Sequence, residues 1–132
     1  MATKQGTKSA VPNLEIKQVV RDRAVVVAVA GDIDTATVDT LARNLAAAMN
    51  VASTQSHKLL VVDLGDVTYF GSAGLNAVLG CYEAGADNGV AVRLVANAAE
   101  VLRPLQVTQL DSVLRPYPTV PDALADSADN SG

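Results

Sequence analysis

The sequence predicts an α/β domain built on a mainly parallel sheet, and three observations carry that prediction. The runs "HKLLVVDL" and "VAVRLVAN" are apolar without alternation, the pattern of strands buried on both faces between helices. Each is followed by a segment whose apolar residues recur at helical spacing. The chain has 132 residues, the size of one globular domain with a core that needs no staple. Alternating strands and helices then require right-handed crossovers. The expected architecture is a single domain with a mixed, mainly parallel sheet of four to five strands and about four helices.

Taken in order, residues 1–13 are small and polar and read as a flexible N-terminal tail, and residues 126–132 ("DSADNSG") as its C-terminal counterpart. The domain proper is expected over 14–125. "LEIKQVV" alternates like a half-buried edge strand, and across the breaker "RDR" it pairs antiparallel with "AVVVAVA". In "GDIDTATVDTLARNLAAAMNVA" the period changes: Val38, Leu41, Leu45, Ala48 and Met49 share a helical face, so a first helix begins near Thr37, with Asp34 or Thr35 as N-cap. "HKLLVVDL" belongs in the sheet centre. Leu75, Leu79, Tyr82 and Ala86 then mark a second helix that stops at Asn88-Gly89. After "VAVRLVAN", Asn97 and Glu100 form a capping-box pattern for a third helix, which Pro104 should kink or shorten. "SVLRPYP" reads as one more short strand, and "TVPDALAD" as a short terminal helix with Pro121 near its start.

Composition narrows the function. The formal net charge is −4, which gives nonspecific nucleic-acid binding little electrostatic support. With one cysteine, no internal disulfide can form, and nothing points to an oxidising compartment. The longest apolar run, "AVVVAVA", is too short to span a membrane, and no apolar segment follows the N-terminal lysines. A cytoplasmic protein without membrane insertion is expected.

The stretch "DVTYFGSAGLNAVLG" places Ser72 between small residues where a strand hands over to a helix. A nucleophile elbow needs Gly-x-Ser-x-Gly, but Phe70 stands two places before the serine. The single histidine, His57, falls near the opposite end of the preceding strand. No catalytic residue is assigned, and the chain is not expected to be an enzyme. Asp32 and Asp34 resemble the opening of a calcium loop, but Thr37 and Arg43 occupy the positions where such a loop needs glycine and glutamate. No metal site, Walker loop or cofactor is expected.

Two readings of Ser72 stay open. A serine before a helical stripe can cap the helix, worth about 1 kcal/mol. Alternatively, Gly71, Ala73 and Gly74 leave the hydroxyl uncovered for a docking protein, although Gly74 costs helix propensity. Asp63 either stabilises the loop or ends a solvated strand, and Cys81 reads as a small core or semi-buried residue. Asp32 and Asp34 are either strand-end and cap residues or part of a recognition surface.

"VVDLGDVTYFGSAGLNAVL" resembles the signature of the STAS domain of bacterial anti-sigma factor antagonists, Asp-Leu-x-x-Val-x-Phe-Ile/Met-Asp-Ser-Ser/Thr/Ala-Gly-Leu. Asp63, Leu64, Val67, Ser72, Gly74 and Leu75 match it directly. Upstream, Gly31, Asp32, Ile33 and Asp34 are similar to the family's Gly-Glu/Asp-Leu/Ile-Asp segment, and the likeness extends over about residues 14–124. One position departs: Gly71 stands where the family usually has aspartate, after the pair Tyr69-Phe70.

The resemblance implies a single STAS-type domain acting in a partner-switching circuit. Its partner is an anti-sigma factor that is also a GHKL-type serine kinase; binding frees a sigma factor, phosphorylation of the signature serine ends binding, and a serine phosphatase resets the switch. Carried over, Ser72 is the phospho-acceptor, and Asp32, Asp34, Gly71, Ser72, Ala73, Gly74 and Leu75 form the partner surface. The alternative is a STAS module that senses a small ligand, a nucleotide or a lipid, at the N–H groups around Gly71-Ser72-Ala73-Gly74.

Overall fold

In the computed structural model, residues 6–21 and 23–125 are described. They form β1 (Gly6–Val11), β2 (Leu14–Arg21), β3 (Ala24–Ile33), α1 (Val38–Ser53), β4 (Leu59–Phe70), α2 (Ser72–Asn88), β5 (Ala91–Val95), α3 (Ala99–Val107), α4 (Asp111–Leu114) and α5 (Val120–Ala125). The α/β class holds, with five strands in a single mixed sheet ordered β1-β2-β3-β4-β5. The first three strands run antiparallel, while β3, β4 and β5 are parallel, joined by the crossovers that carry α1 and α2. β4 is interior, as expected, although the middle strand of the five is β3.

β3 explains why its sequence lacks a polar face. Val25, Val27 and Val29 enter the main core with the buried faces of α1, α2 and α3, while Ala24 and Val26 enter a smaller cluster beneath α5. A strand covered on both sides gains from an apolar residue at every position, at about 1.5–3 kcal/mol per large side chain buried.

Four expectations about the strands, α2 and α3 need correction. The N-terminal tail was expected to reach Asn13, but Gly6–Val11 pair with β2, so β1 and not β2 is the edge strand. Pro12 and Asn13, the latter at φ 70°, make the tight connection, and Lys8 bonds Glu15 at 2.7 Å, holding that carboxyl below its ordinary range. Met1–Gln5 and residues 126–132 lie outside the described residues.

"SVLRPYP" forms no strand: Asp111–Leu114 is a helical turn and only Tyr117 bridges to Val95. Pro116 and Pro118 have no N–H to donate, so Tyr117 alone can add to the sheet edge. The core face of α2 is Gly74, Leu75, Val78, Cys81 and Gly85, rotated from the Leu75, Leu79, Tyr82, Ala86 stripe. Gly85 sets that rotation, because a Cβ there would lie 2.6 Å from the Val90 carbonyl oxygen. Finally, α3 is capped at Ala98, and Asn97 instead donates to the Pro118 carbonyl at 3.0 Å.

Candidate functional site

The carboxyl ends of β3 and β4 bring the expected residues together. Asp32 pairs across the sheet with Tyr69 and Ile33 with Phe70. The Gly71 amide donates to the Ile33 carbonyl at 3.1 Å, so a single residue separates β4 from α2. Asp32, Asp34 and the stretch from Gly71 to Leu75 therefore share one end of the domain, whereas His57 lies before the start of β4, a full strand away.

Two extra residues in β4 shape this end. Ala28 faces Asp63 but Ala30 faces Asp66; Gly31 faces Val67 but Asp32 faces Tyr69. Each insertion shifts the alternation by one, so Leu60, Val62, Leu64, Val67 and Phe70 all reach the main core. Tyr69 is thereby left 53% exposed. The Gly65 amide donates to Asp63 Oδ1 at 2.9 Å, which gives Asp63 its role: it steadies the first bulge.

Both aspartates of the β3 end have structural work. The Thr68 hydroxyl donates to Asp32 Oδ1 at 2.7 Å, tying the second irregularity of β4 to the end of β3. Asp34 Oδ1 accepts the amides of Ala36 at 2.9 Å and Thr37 at 3.2 Å, organising the turn into α1. Thr37, not Asp34 or Thr35, occupies the N-cap position, and its hydroxyl donates to the Asp32 carbonyl at 2.8 Å. Both carboxylates remain partly exposed at the surface.

Ser72 is the first residue of α2 and is exposed; Gly71 precedes it as N-cap with an extended backbone, and no side chain caps the helix. The capping reading of Ser72 thus loses its geometric basis. Ala73 is half-buried, while Gly74 and Leu75 are buried. A Cβ at Gly74 would lie 2.5 Å from Ile33 Cγ2, so glycine is what lets the first turn of α2 sit against β3. Gly74 and Leu75 hold the serine in place from beneath.

Sequence reasoning gave Thr68, Thr37 and Tyr69 no role at this end. Tyr69 lies against Gly71, its ring 3.1 Å from where a Cβ at 71 would stand. The adjacent aromatics Tyr69-Phe70 were the available signal, because an alternating strand can bury only one of two neighbours. Among the described residues no cluster of three or more metal-ligating side chains occurs, and no helix is long and apolar enough to cross a membrane.

The five-stranded mixed sheet and its helices define a single domain of the STAS type. The STAS domain model matches residues 15–123, and the chain belongs to that family. It is similar to a crystal structure of an anti-sigma factor antagonist from Mycobacterium paratuberculosis, with 32% identity over 88% of this chain and 95% of that one, at a TM-score of 0.77. The unphosphorylated form of the anti-sigma factor antagonist SpoIIAA shares the fold at 16% identity, covering 83% of this chain and 92% of its own, with a TM-score of 0.66. The phosphorylated form of the Bacillus protein SpoIIAA does so at 14% identity, 91% and 96% coverage, and a TM-score of 0.59.

Proposed function

We propose that this chain is a cytoplasmic anti-sigma factor antagonist. It binds a GHKL-type anti-sigma factor through Asp32, Asp34, Gly71, Ser72 and Ala73, supported from below by Gly74 and Leu75, and so frees a sigma factor. It performs no catalysis of its own. Phosphorylation of Ser72 by the partner ends binding, and a serine phosphatase restores it.

The observation that carries this reading is an exposed hydroxyl at the first position of a seventeen-residue helix, on the same end of the sheet as two partly exposed carboxylates. Phosphate there adds about −1.5 to −2 charges. The helix N-terminus tolerates that charge locally, so the fold persists. A docked partner does not, because the phosphate must be desolvated near Asp32 and Asp34.

The test is capture of purified GHKL-type anti-sigma factors from the source organism by wild type, Ser72→Ala and Ser72→Asp. Wild type and Ser72→Ala should hold the partner and Ser72→Asp should lose it, with unchanged circular dichroism. Equal capture by all three would remove the switch role from Ser72. Saturable heat with GTP or ATP and no anti-sigma partner would favour the ligand-sensing alternative.

A further inference from the structure

We propose that the groove between the start of α2 and α3 is the apolar half of the partner surface, and that it receives an apolar side chain flanked by a carboxylate from the anti-sigma factor. The inference rests on the function proposed above and extends it to residues outside the signature. The groove has a volume of about 720 Å3. Tyr69, Phe70 and Leu75 line it from the β4–α2 junction, Pro104 and Val107 from α3, and Ser72 and Arg103 are part of its polar lining.

Three observations support this occupant. Among the described residues, the large hydrophobic side chains left exposed are Tyr69 at 53%, Val107 at 76% and Val113 at 45%, and the first two line this groove. Apolar surface gathered in a concavity, and not scattered, is the mark of an interaction site. Ser72 belongs both to the groove and to the end of the sheet that carries Asp32 and Asp34, so a partner seated over the serine also covers the groove.

The third observation is charge. Asp32 and Asp34 belong to the β3 end, whereas α3 carries Arg103, exposed and without an ion-pair partner among the described residues, with the exposed Glu100 one turn before it in the groove lining. A complementary partner presents a cation toward the β3 end and a carboxylate at Arg103, clear of Glu100, a pattern that fixes its orientation as well as its affinity. It also explains why a single phosphate at Ser72 can disrupt a broad surface: the modified side chain stands among groups the partner must dehydrate.

The test is calorimetric titration of a purified GHKL-type anti-sigma factor of the source organism with wild type, Val107→Asp, Arg103→Glu and Val113→Asp, each checked for fold by circular dichroism. Val107 is exposed enough that its substitution leaves the core intact. Val107→Asp and Arg103→Glu should each weaken binding about tenfold or more, as expected of interface anchors, while Val113→Asp changes it less than about twofold. Groove variants that bind like wild type, while Ser72→Asp does not, overturn the groove and leave the switch standing. Failure of wild type to bind any such protein overturns both. A dimer in sedimentation velocity that Val107→Asp dissociates assigns the groove to a second copy and overturns the proposal.

Discussion

Gly74→Ala separates two effects that act in opposite directions at the serine. Helix propensity alone favours alanine by up to about 1 kcal/mol, less in a first turn. Against it, the new Cβ would stand 2.5 Å from Ile33 Cγ2 and 3.0 Å from Phe70 Cε1. Ile33 is fully buried and Phe70 is 4% exposed, so neither has space to retreat. Overpacking of a filled core costs about 1–3 kcal/mol, which leaves a net loss of about 1–2 kcal/mol. For a domain of this size that lowers Tm by roughly 3–8 °C. Urea unfolding followed by circular dichroism suits a chain without tryptophan. Adding Ile33→Leu removes the γ-methyl at the clash with little change in volume, so a double-mutant cycle should show that much of the penalty is shared with Ile33. A neutral or stabilising Gly74→Ala would refute the close approach of α2 to β3, and with it the account of how Ser72 is held.

Other sites test other parts of the structure. Gly31→Ala places a Cβ 2.2 Å from the Asn13 carbonyl oxygen at φ +111°, and should cost about 2–4 kcal/mol in thermal unfolding, more than Gly74→Ala. Burial pushes the Cys81 thiol from 9.0 up to about 11. Its reaction with a disulfide reagent at pH 8 should therefore be slow in the native protein and fast in guanidinium. Because the folded value is the raised one, its contribution to stability is full below pH 9 and is lost as pH rises from 9 toward 11, which unfolding midpoints across that range would report. Arg93→Ala removes a buried donor that reaches the Ala123 carbonyl at 2.6 Å, and should speed hydrogen exchange in α5 with a loss of about 1.5–3 kcal/mol.

Most of the parallel half of the fold was legible because its signals are local. The β-branched runs of β3, β4 and β5, the stripe of α1 and the Asn88-Gly89 stop each state their structure within a few residues. The larger misses are tertiary. Nothing in "GTKSAV" marks a strand; it is one because β2 offers a free edge and the Pro12-Asn13 turn folds it back. The α2 face was misread because size was used as the guide to burial, while the helix approaches the sheet through its smallest residues, Gly74 and Gly85. At the site, Ser72, Asp32 and Asp34 were visible as a pattern. The hydrogen bond from Thr68 to Asp32 was not, because it depends on a β4 register that alternation cannot predict.

That register bears on the proposed switch. The Gly71 amide is bonded to the Ile33 carbonyl, Thr68 ties β4 to Asp32, and Phe70 and Leu75 are buried on either side of the serine. A hinge would need at least one of these ties to be free. The serine therefore sits on a junction tied on every side, and on the function proposed above a charge added to it acts on the docked partner more than on the fold beneath. The magnitudes agree: a phosphate at a helix N-terminus gains only about 0.3–1 kcal/mol from the helix, whereas enclosing an unpaired charge in an interface costs several kcal/mol. In the proposed switch, binding therefore bears most of the effect, by electrostatics at a fixed surface and without rearrangement of the sheet or helices.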